Sequence, residues 1–227
     1  MSLTIHHLHQ SSSERVIWLC EELSLPYTLK TYDRVPLLAP EEYKALHPAA
    51  TSPIIQDITD NGEEITLAES GACIEYISHR HASGRLFLPP THRCYPDFLF
   101  WWHWVNGTFQ PTLGRAMMAR MAGLGEENLM VRLGAERMRR ALAMLDERLR
   151  AEEWLAGEEF SVADVMLVFS LTTMRYFFAY GLGEFEGILG YLGRVGSREA
   201  YRRAMERADP GMELVLGADA PLGKSLM

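Results

Sequence analysis

The sequence predicts two joined parts, an α/β domain of order βαβ–ββα and an all-α helical bundle. Three observations predict it. Strand-like and helix-like patterns alternate through residues 1–82, strand patterns vanish after a Gly- and Pro-rich stretch at 83–92, and the charge balance changes across that stretch. Residues 1–85 carry 6 Lys and Arg against 12 Asp and Glu, whereas the rest carries 16 against 18, with Lys224 as its lysine. These features divide the chain into a first domain over 1–82, a linker over 83–92 and a helical domain over 93–227.

Within the first domain, Leu3 to His9 alternates as a strand does, and the polar run Gln10 to Ser13 ends it with residues that favour helix starts. Val16, Ile17, Leu19, Cys20 and Leu23 recur at three- and four-residue spacing, which predicts a helix over Glu14–Leu23. The helix stops at Ser24 to Pro26, and Tyr27 to Tyr32 reads as a second strand. Pro40, Glu41 and Glu42 suit the first turn of a short helix, which His47 and Pro48 end. Ser52 to Gln56 gives a third strand opened by Pro53. The turn Asp60, Asn61, Gly62 folds Glu64–Ala68 back against it. A helix then runs from Glu69 or Ser70 to about His81.

Beyond the linker, helical patterns cover roughly 93–121, 127–151, 161–180, 188–195 and 197–208, and the tail after Pro210 reads as irregular. Ser161 and Asp164 have the three-residue spacing of a capping box.

Composition excludes several classes of function. A net charge of −8 lacks the basic footprint that nucleic acid requires. There is no apolar run of about 18 residues to span a membrane, and the opening residues do not resemble a signal peptide. The three cysteines, Cys20, Cys73 and Cys94, make no pairwise motif, so reduced thiols in the cytoplasm are expected. His6, His7 and His9 alternate across a strand with no carboxylate or cysteine tied to them in sequence, so no metal is expected.

Three short segments carry candidate chemistry. The serine loop Ser11, Ser12, Ser13 precedes a helix, where a hydroxyl and unpaired N–H groups could stabilise an anion such as a thiolate. Ordinary capping, with Ser13 the expected cap, explains the same residues. Pro53 can be cis, and the residue before it could then pair its backbone with a peptide-like ligand, as an added strand would. An edge-strand proline is the bland alternative. Ser70 opens a helix that could hold a carboxylate, with Glu69 beside it for an ammonium, although a capping serine beside a solvated glutamate looks the same.

Together and in this order, the segments resemble the glutathione transferase superfamily, particularly its serine-type bacterial and fungal members. Residues 11–27 read SSSERVIWLCEELSLPY, similar to the family's serine loop ending in Arg followed by WLLEELGLPYE. Residues 47–55, HPAATSPII, resemble HPxGKSPVL; residues 67–77, LAESGACIEYI, resemble LAESGAIIEYL; and residues 154–164, WLAGEEFSVAD, resemble LAGDxFTAAD.

The resemblance implies a thioredoxin-like first domain and glutathione as co-substrate. By the same resemblance Ser11, with Ser12 and Ser13 as alternates, would hydrogen-bond the sulfur and favour the thiolate. Ser52 beside Pro53 would bind the cysteinyl backbone, and Glu69 and Ser70 would hold the γ-glutamyl end. Thr51 stands where family members often have a Lys for the glycine carboxylate. The missing loop cysteine speaks against the cysteine-type members. The second substrate, a small hydrophobic electrophile or a peroxide, is expected on the helical domain near Trp104, Thr108 and Met117, although core packing explains aromatic and Met side chains there equally well. The resemblance and the aromatic helix after the linker imply a homodimer. A non-catalytic binding protein that kept the fold is the rival reading.

Overall fold

The computed structural model describes residues 2–221. Its contacts divide the chain into two compact units. One runs up to Phe87 and takes in Gly196–Leu214; the other is Leu88–Val195 with the segment from Val215 on. The contacts part between Phe87 and Leu88, and residues 196–214 return to the first unit.

The first unit is built on four strands, β1 (Thr4–Leu8), β2 (Thr28–Tyr32), β3 (Ile54–Ile58) and β4 (Glu64–Ala68), in the order β2-β1-β3-β4. β1 runs parallel to β2 and antiparallel to β3, and β3 pairs antiparallel with β4. This mixed sheet with its helices is the thioredoxin-like arrangement. α1 (Glu14–Leu23) buries Val16, Ile17, Trp18, Leu19, Cys20 and Leu23, each worth roughly 1.5–3 kcal/mol if a large apolar side chain. It ends with Ser24 in the left-handed region, whose N–H bonds Glu21 O while Leu25 N–H bonds Cys20 O. On the opposite face, the short α2 (Glu41–Lys44) delivers Tyr43 onto Leu8, Ile54 and Ala68.

α3 (Ser70–Ala82) and α9 (Glu199–Ala208) both pack on α1. The α9 contact explains why the late helix joins the first unit. Tyr201 meets Trp18 edge-on at 5.0 Å, the Arg198 guanidinium forks onto the Glu22 carboxylate at 2.7 and 2.8 Å, and Arg203 and Arg207 bond Glu21.

The second unit is helical: α4 (Tyr95–Trp104), α5 (Gln110–Met121), α6 (Leu129–Ala151), α7 (Val162–Leu171) and most of α8 (Glu186–Ser197). Every residue of α7 is buried, and α4 and the turn after it pack on it. The Ser161–Asp164 capping box forms as expected, with Asp164 also accepting from the Leu155 N–H at 3.0 Å. The single helix expected over 93–121 is broken by a π-helical turn at Val105–Phe109. Pro111 is the reason: it has no N–H for the carbonyl four residues back, and its ring would collide with it, so the backbone widens there. The helix expected over 161–180 likewise stops at Leu171, where the Thr172 hydroxyl bonds Val168 O, and gives way to a short 3₁₀ turn at Thr173–Tyr176.

Candidate active site

β1 and α1 are joined by a tight loop that begins with Gln10 in the left-handed region (φ 54°) and closes through Glu14 N–H to Ser11 O and Val16 N–H to Ser13 O. This turn places three hydroxyls at the N-terminus of α1. Ser11 and Ser13 are buried and Ser12 is half-buried. Ser11 Oγ lies 2.7 Å from Ser13 Oγ and 2.8 Å from Ser52 Oγ, and Ser12 Oγ donates to the Ser52 carbonyl at 3.0 Å. Ser52 comes from the start of β3, where the Ser52–Pro53 peptide is cis and Pro53 is buried. Two of the three sequence-predicted segments meet in one hydroxyl cluster.

Ser13 does not cap α1. Its Oγ lies 2.7 Å from His7 Nδ1 instead, so the expectation of a capping Ser13 is corrected: a buried imidazole competes for the same hydroxyl and wins. His7 Nε2 in turn meets Asp209 Oδ2 at 3.2 Å, His9 Nδ1 meets Asp209 Oδ1 at 2.7 Å, and the Gln10 N–H points at both carboxylate oxygens. Burial alone would raise the Asp209 carboxyl. The bond and charge of His7, the His9 bond and the Gln10 N–H together hold it below the usual carboxylate range.

The sequence expectation that no carboxylate accompanies the β1 histidines is therefore also corrected. Asp209 follows α9, and it reaches β1 only because α9 packs on α1. Ligand atoms of His7, His9 and Asp209 lie within 4.8 Å of one another. In this structure the three are joined by hydrogen bonds, with the Gln10 N–H also on the carboxylate. His6, on the other face of β1, bonds Tyr32 and Gln56.

The third segment lies at the start of α3. Ser70 is its first residue and is buried, and Arg15 Nη1 donates to Ser70 Oγ at 3.3 Å, tying α3 to α1. Burial draws the Arg15 guanidinium down to about 10, against the opposing charge of the adjacent Glu14, so Arg15 stays charged at neutral pH. Glu69 precedes the helix, exposed and at φ 74°, ψ 120°, a backbone conformation that costs a non-glycine residue about 1–3 kcal/mol. Its side chain makes no cap. Thr51 is exposed, and neither it nor Glu69 joins the hydroxyl cluster.

In the second unit Trp104 is buried, stacked on Phe109 at 5.1 Å and edge-on to Trp101. Thr108 is exposed in the π-turn, where its carbonyl accepts from the Thr112 hydroxyl, and Met117 is half-buried on α5. None of these three lines the groove between α5 and α6. That groove, of about 1060 Å³, has a lining that includes Met118, Leu133, Met138 and Phe178.

Residues 11–80 match the family model described as glutathione S-transferase, N-terminal domain, and residues 127–199 match glutathione S-transferase, C-terminal domain. The chain belongs to the glutathione transferase superfamily. Glutathione S-transferase 3 of Schizosaccharomyces pombe is 25% identical over 226 residues, spanning 91% of this chain and 88% of the yeast protein. A solved glutathione S-transferase from Actinobacillus pleuropneumoniae superposes with a TM-score of 0.82 at 27% identity, covering 99% and 98% of the two chains. A glutathione transferase family member from Pseudomonas fluorescens Pf-5, solved with two glutathione molecules bound, has the same fold at 20% identity and a TM-score of 0.72, covering 90% and 92%. His7 and Asp209, joined to the hydroxyl cluster through Ser13, are the candidate-site residues that sequence reasoning missed.

Proposed function

We propose that the protein binds glutathione in its first unit, ionises the thiol beside Ser11 and transfers the thiolate to a small hydrophobic electrophile. Peroxide reduction by the same thiolate is a second use of the chemistry. The observation that carries this reading is the buried Ser11 hydroxyl at the N-terminus of α1, hydrogen-bonded to Ser13 and Ser52. A thiolate is the nucleophile, so the central task is to favour it near neutral pH, and a positioned hydroxyl at a helix N-terminus supplies a donor and a positive field. Glutathione's cysteinyl backbone is read by Ser52 beside Pro53, and its γ-glutamyl end by Glu69 and Ser70. The strained backbone at Glu69 fits a residue held for a ligand rather than for the fold. The apolar groove side chains suit a hydrophobic electrophile in their chemistry.

The test is calorimetric titration of glutathione into wild type and Ser11→Ala, with ultraviolet detection of thiolate and an aryl-halide conjugation assay. Ser11→Ala is expected to keep glutathione binding, to lose the thiolate signal at neutral pH and to lose about a hundredfold in turnover, the usual cost of one positioned donor. Equal thiolate in both proteins would remove Ser11 from the role. A wild type that binds no glutathione would overturn the function itself.

A further inference from the structure

Ser11 does not end at the site. It is the outer member of a continuous chain of hydrogen bonds into the protein: Ser11 Oγ to Ser13 Oγ at 2.7 Å, Ser13 Oγ to His7 Nδ1 at 2.7 Å, and His7 Nε2 to Asp209 Oδ2 at 3.2 Å. His7 and Ser13 are 0% exposed, Ser11 5% and Asp209 7%, so bulk water does not interrupt the chain. Ser12 stands outside it, because its hydroxyl is committed to the Ser52 carbonyl.

Counting protons fixes the direction of every bond. An ionised Asp209 only accepts, so His7 Nε2 carries a hydrogen and donates. When the imidazole is neutral, Nδ1 is bare and Ser13 must donate to it. A hydroxyl has one proton, so Ser13 accepts from Ser11, and Ser11 accepts from Ser52 and, at 3.3 Å, from the Ser13 N–H. In this state Ser11 has no proton left for a sulfur. When the imidazole is protonated, Nδ1–H donates to Ser13, Ser13 donates to Ser11, and the Ser11 proton is released to point outward. The two states differ by one proton, which the imidazole carries and which leaves the Ser11 proton for a ligand.

Resting on the transferase reading above, we propose that His7, held by Asp209, receives the glutathione thiol proton through Ser13 and Ser11. The thiol replaces the Ser52 hydroxyl as donor to Ser11 Oγ, and the S–H bond breaks as its proton passes there. The Ser11 proton moves to Ser13 Oγ and the Ser13 proton to His7 Nδ1. Each hydroxyl ends with one proton, the sulfur ends as a thiolate accepting from Ser11, and the positive charge ends on an imidazolium facing the Asp209 carboxylate. His7 and Ser13 are positioning residues, since Ser11 alone would touch the sulfur. The other charged groups around His7 are His9, edge-on at 5.4 Å and itself paired with Asp209 and Asp33, and Arg34, which bonds the His9 and Gln10 carbonyls. Asp209 also carries the charge that offsets Arg34, so an imidazolium at His7 sits opposite a carboxylate already held ionised.

The relay makes a claim that a hydroxyl acting alone does not. Forming the thiolate should release almost no proton to solvent, because the proton stays on His7. Glutathione and S-methylglutathione, which lacks the thiol proton, are titrated calorimetrically near neutral pH in two buffers of different ionisation enthalpy, while thiolate absorbance is followed against pH. For wild type the two ligands should show the same proton release although only glutathione forms thiolate. Ser13→Ala interrupts the chain while leaving Ser11, His7 and Asp209 in place. It should form about tenfold less thiolate at a given pH, a shift of about one pKa unit, and release the missing proton when thiolate does form. His7→Asn retains an acceptor for Ser13 but cannot hold the extra proton, and should behave alike, which keeps the test available if either variant folds poorly. An unchanged thiolate titration and proton count in both variants overturns the relay, as does full proton release by wild type, and either result leaves the transferase reading standing. A wild type that binds glutathione without forming thiolate, or does not bind it, overturns both.

Discussion

Thr51 departs from the motif that residues 47–55 resemble, and it is exposed next to Ser52. A lysine in its place would bring a cation to the position that, in the resemblance, serves glutathione's glycine carboxylate. Exposed ion pairs contribute about 0.2–1 kcal/mol, so Thr51→Lys should tighten glutathione binding by only about 1.4- to fivefold. γ-Glutamylcysteine, which lacks that carboxylate, should gain nothing; calorimetry with the two ligands checks it, and an equal gain for both would sink the assignment. The serine loop, the Ser52–Pro53 turn and the start of α3 could be singled out because each is a short segment read from adjacent residues, although Thr51 and Glu69 stay outside the hydroxyl cluster. His7 and Asp209 could not be, since they stand 202 residues apart and nothing in a strand histidine or a helix-ending aspartate announces the other. Ser13 was misread for a related reason. Capping is a local rule, and it loses here to a buried nitrogen that the local sequence does not place.

At the scale of elements, periodicity found every strand and helix of the first unit within two residues, because each has one buried and one exposed face or a strong punctuating residue. It failed where a hydrophobic pattern runs straight through a local defect. The aromatic stretch before and after Val105 reads as one helix, and only the missing donor at Pro111 breaks it. Close approach of two helices is equally invisible, and Gly187 shows it. A Cβ there would stand 2.4 Å from the Asp146 carbonyl oxygen and 2.9 Å from Arg150 N, both backbone atoms of α6. α8 meets α6 so closely that Asp146 Oδ1 also accepts the Ile188 N–H at 3.1 Å. Gly187→Ala should therefore cost about 2 kcal/mol, in the range of an overpacked core. Gly190→Ala, three residues on along the same helix, meets nothing closer than the Arg194 side chain at 3.6 Å and should stabilise by about 0.5–1 kcal/mol. Thermal midpoints moving in opposite directions would bear this out, and a neutral Gly187→Ala would contradict it.

At the scale of the whole chain, the two units should answer acid differently. In the first unit burial alone would raise the carboxyls of Glu21, Asp57 and Asp209, but their partners overcome it. Tyr27, Arg203 and Arg207 lower Glu21; Ser2, His81, the Ile58 N–H and Tyr76 lower Asp57; His7, His9 and the Gln10 N–H lower Asp209. A carboxyl with a folded value below its unfolded value of about 4 binds fewer protons when folded. Its contribution is complete above about pH 4 and is lost as pH falls through the lower folded value. In the second unit Asp164 goes the other way: full burial, only partly offset by the N–H groups of Leu155 and Ser161 and the Ser161 hydroxyl, pushes it up to about 6. Between about pH 4 and 6 the folded state then binds the extra proton, so the second unit gains stability as pH falls through 6 and gains no more below about 4. Hydrogen exchange of the intact protein, corrected for intrinsic rates, separates the two. The opening free energy of α7 amides should rise from pH 7 to pH 5 while that of β1 and α1 stays level and falls only in stronger acid. Asp164→Asn, which cannot titrate, should abolish the rise in α7. An α7 equally protected at pH 7 and pH 5 would mean that the capping donors hold Asp164 ionised and that burial is not the deciding influence on it.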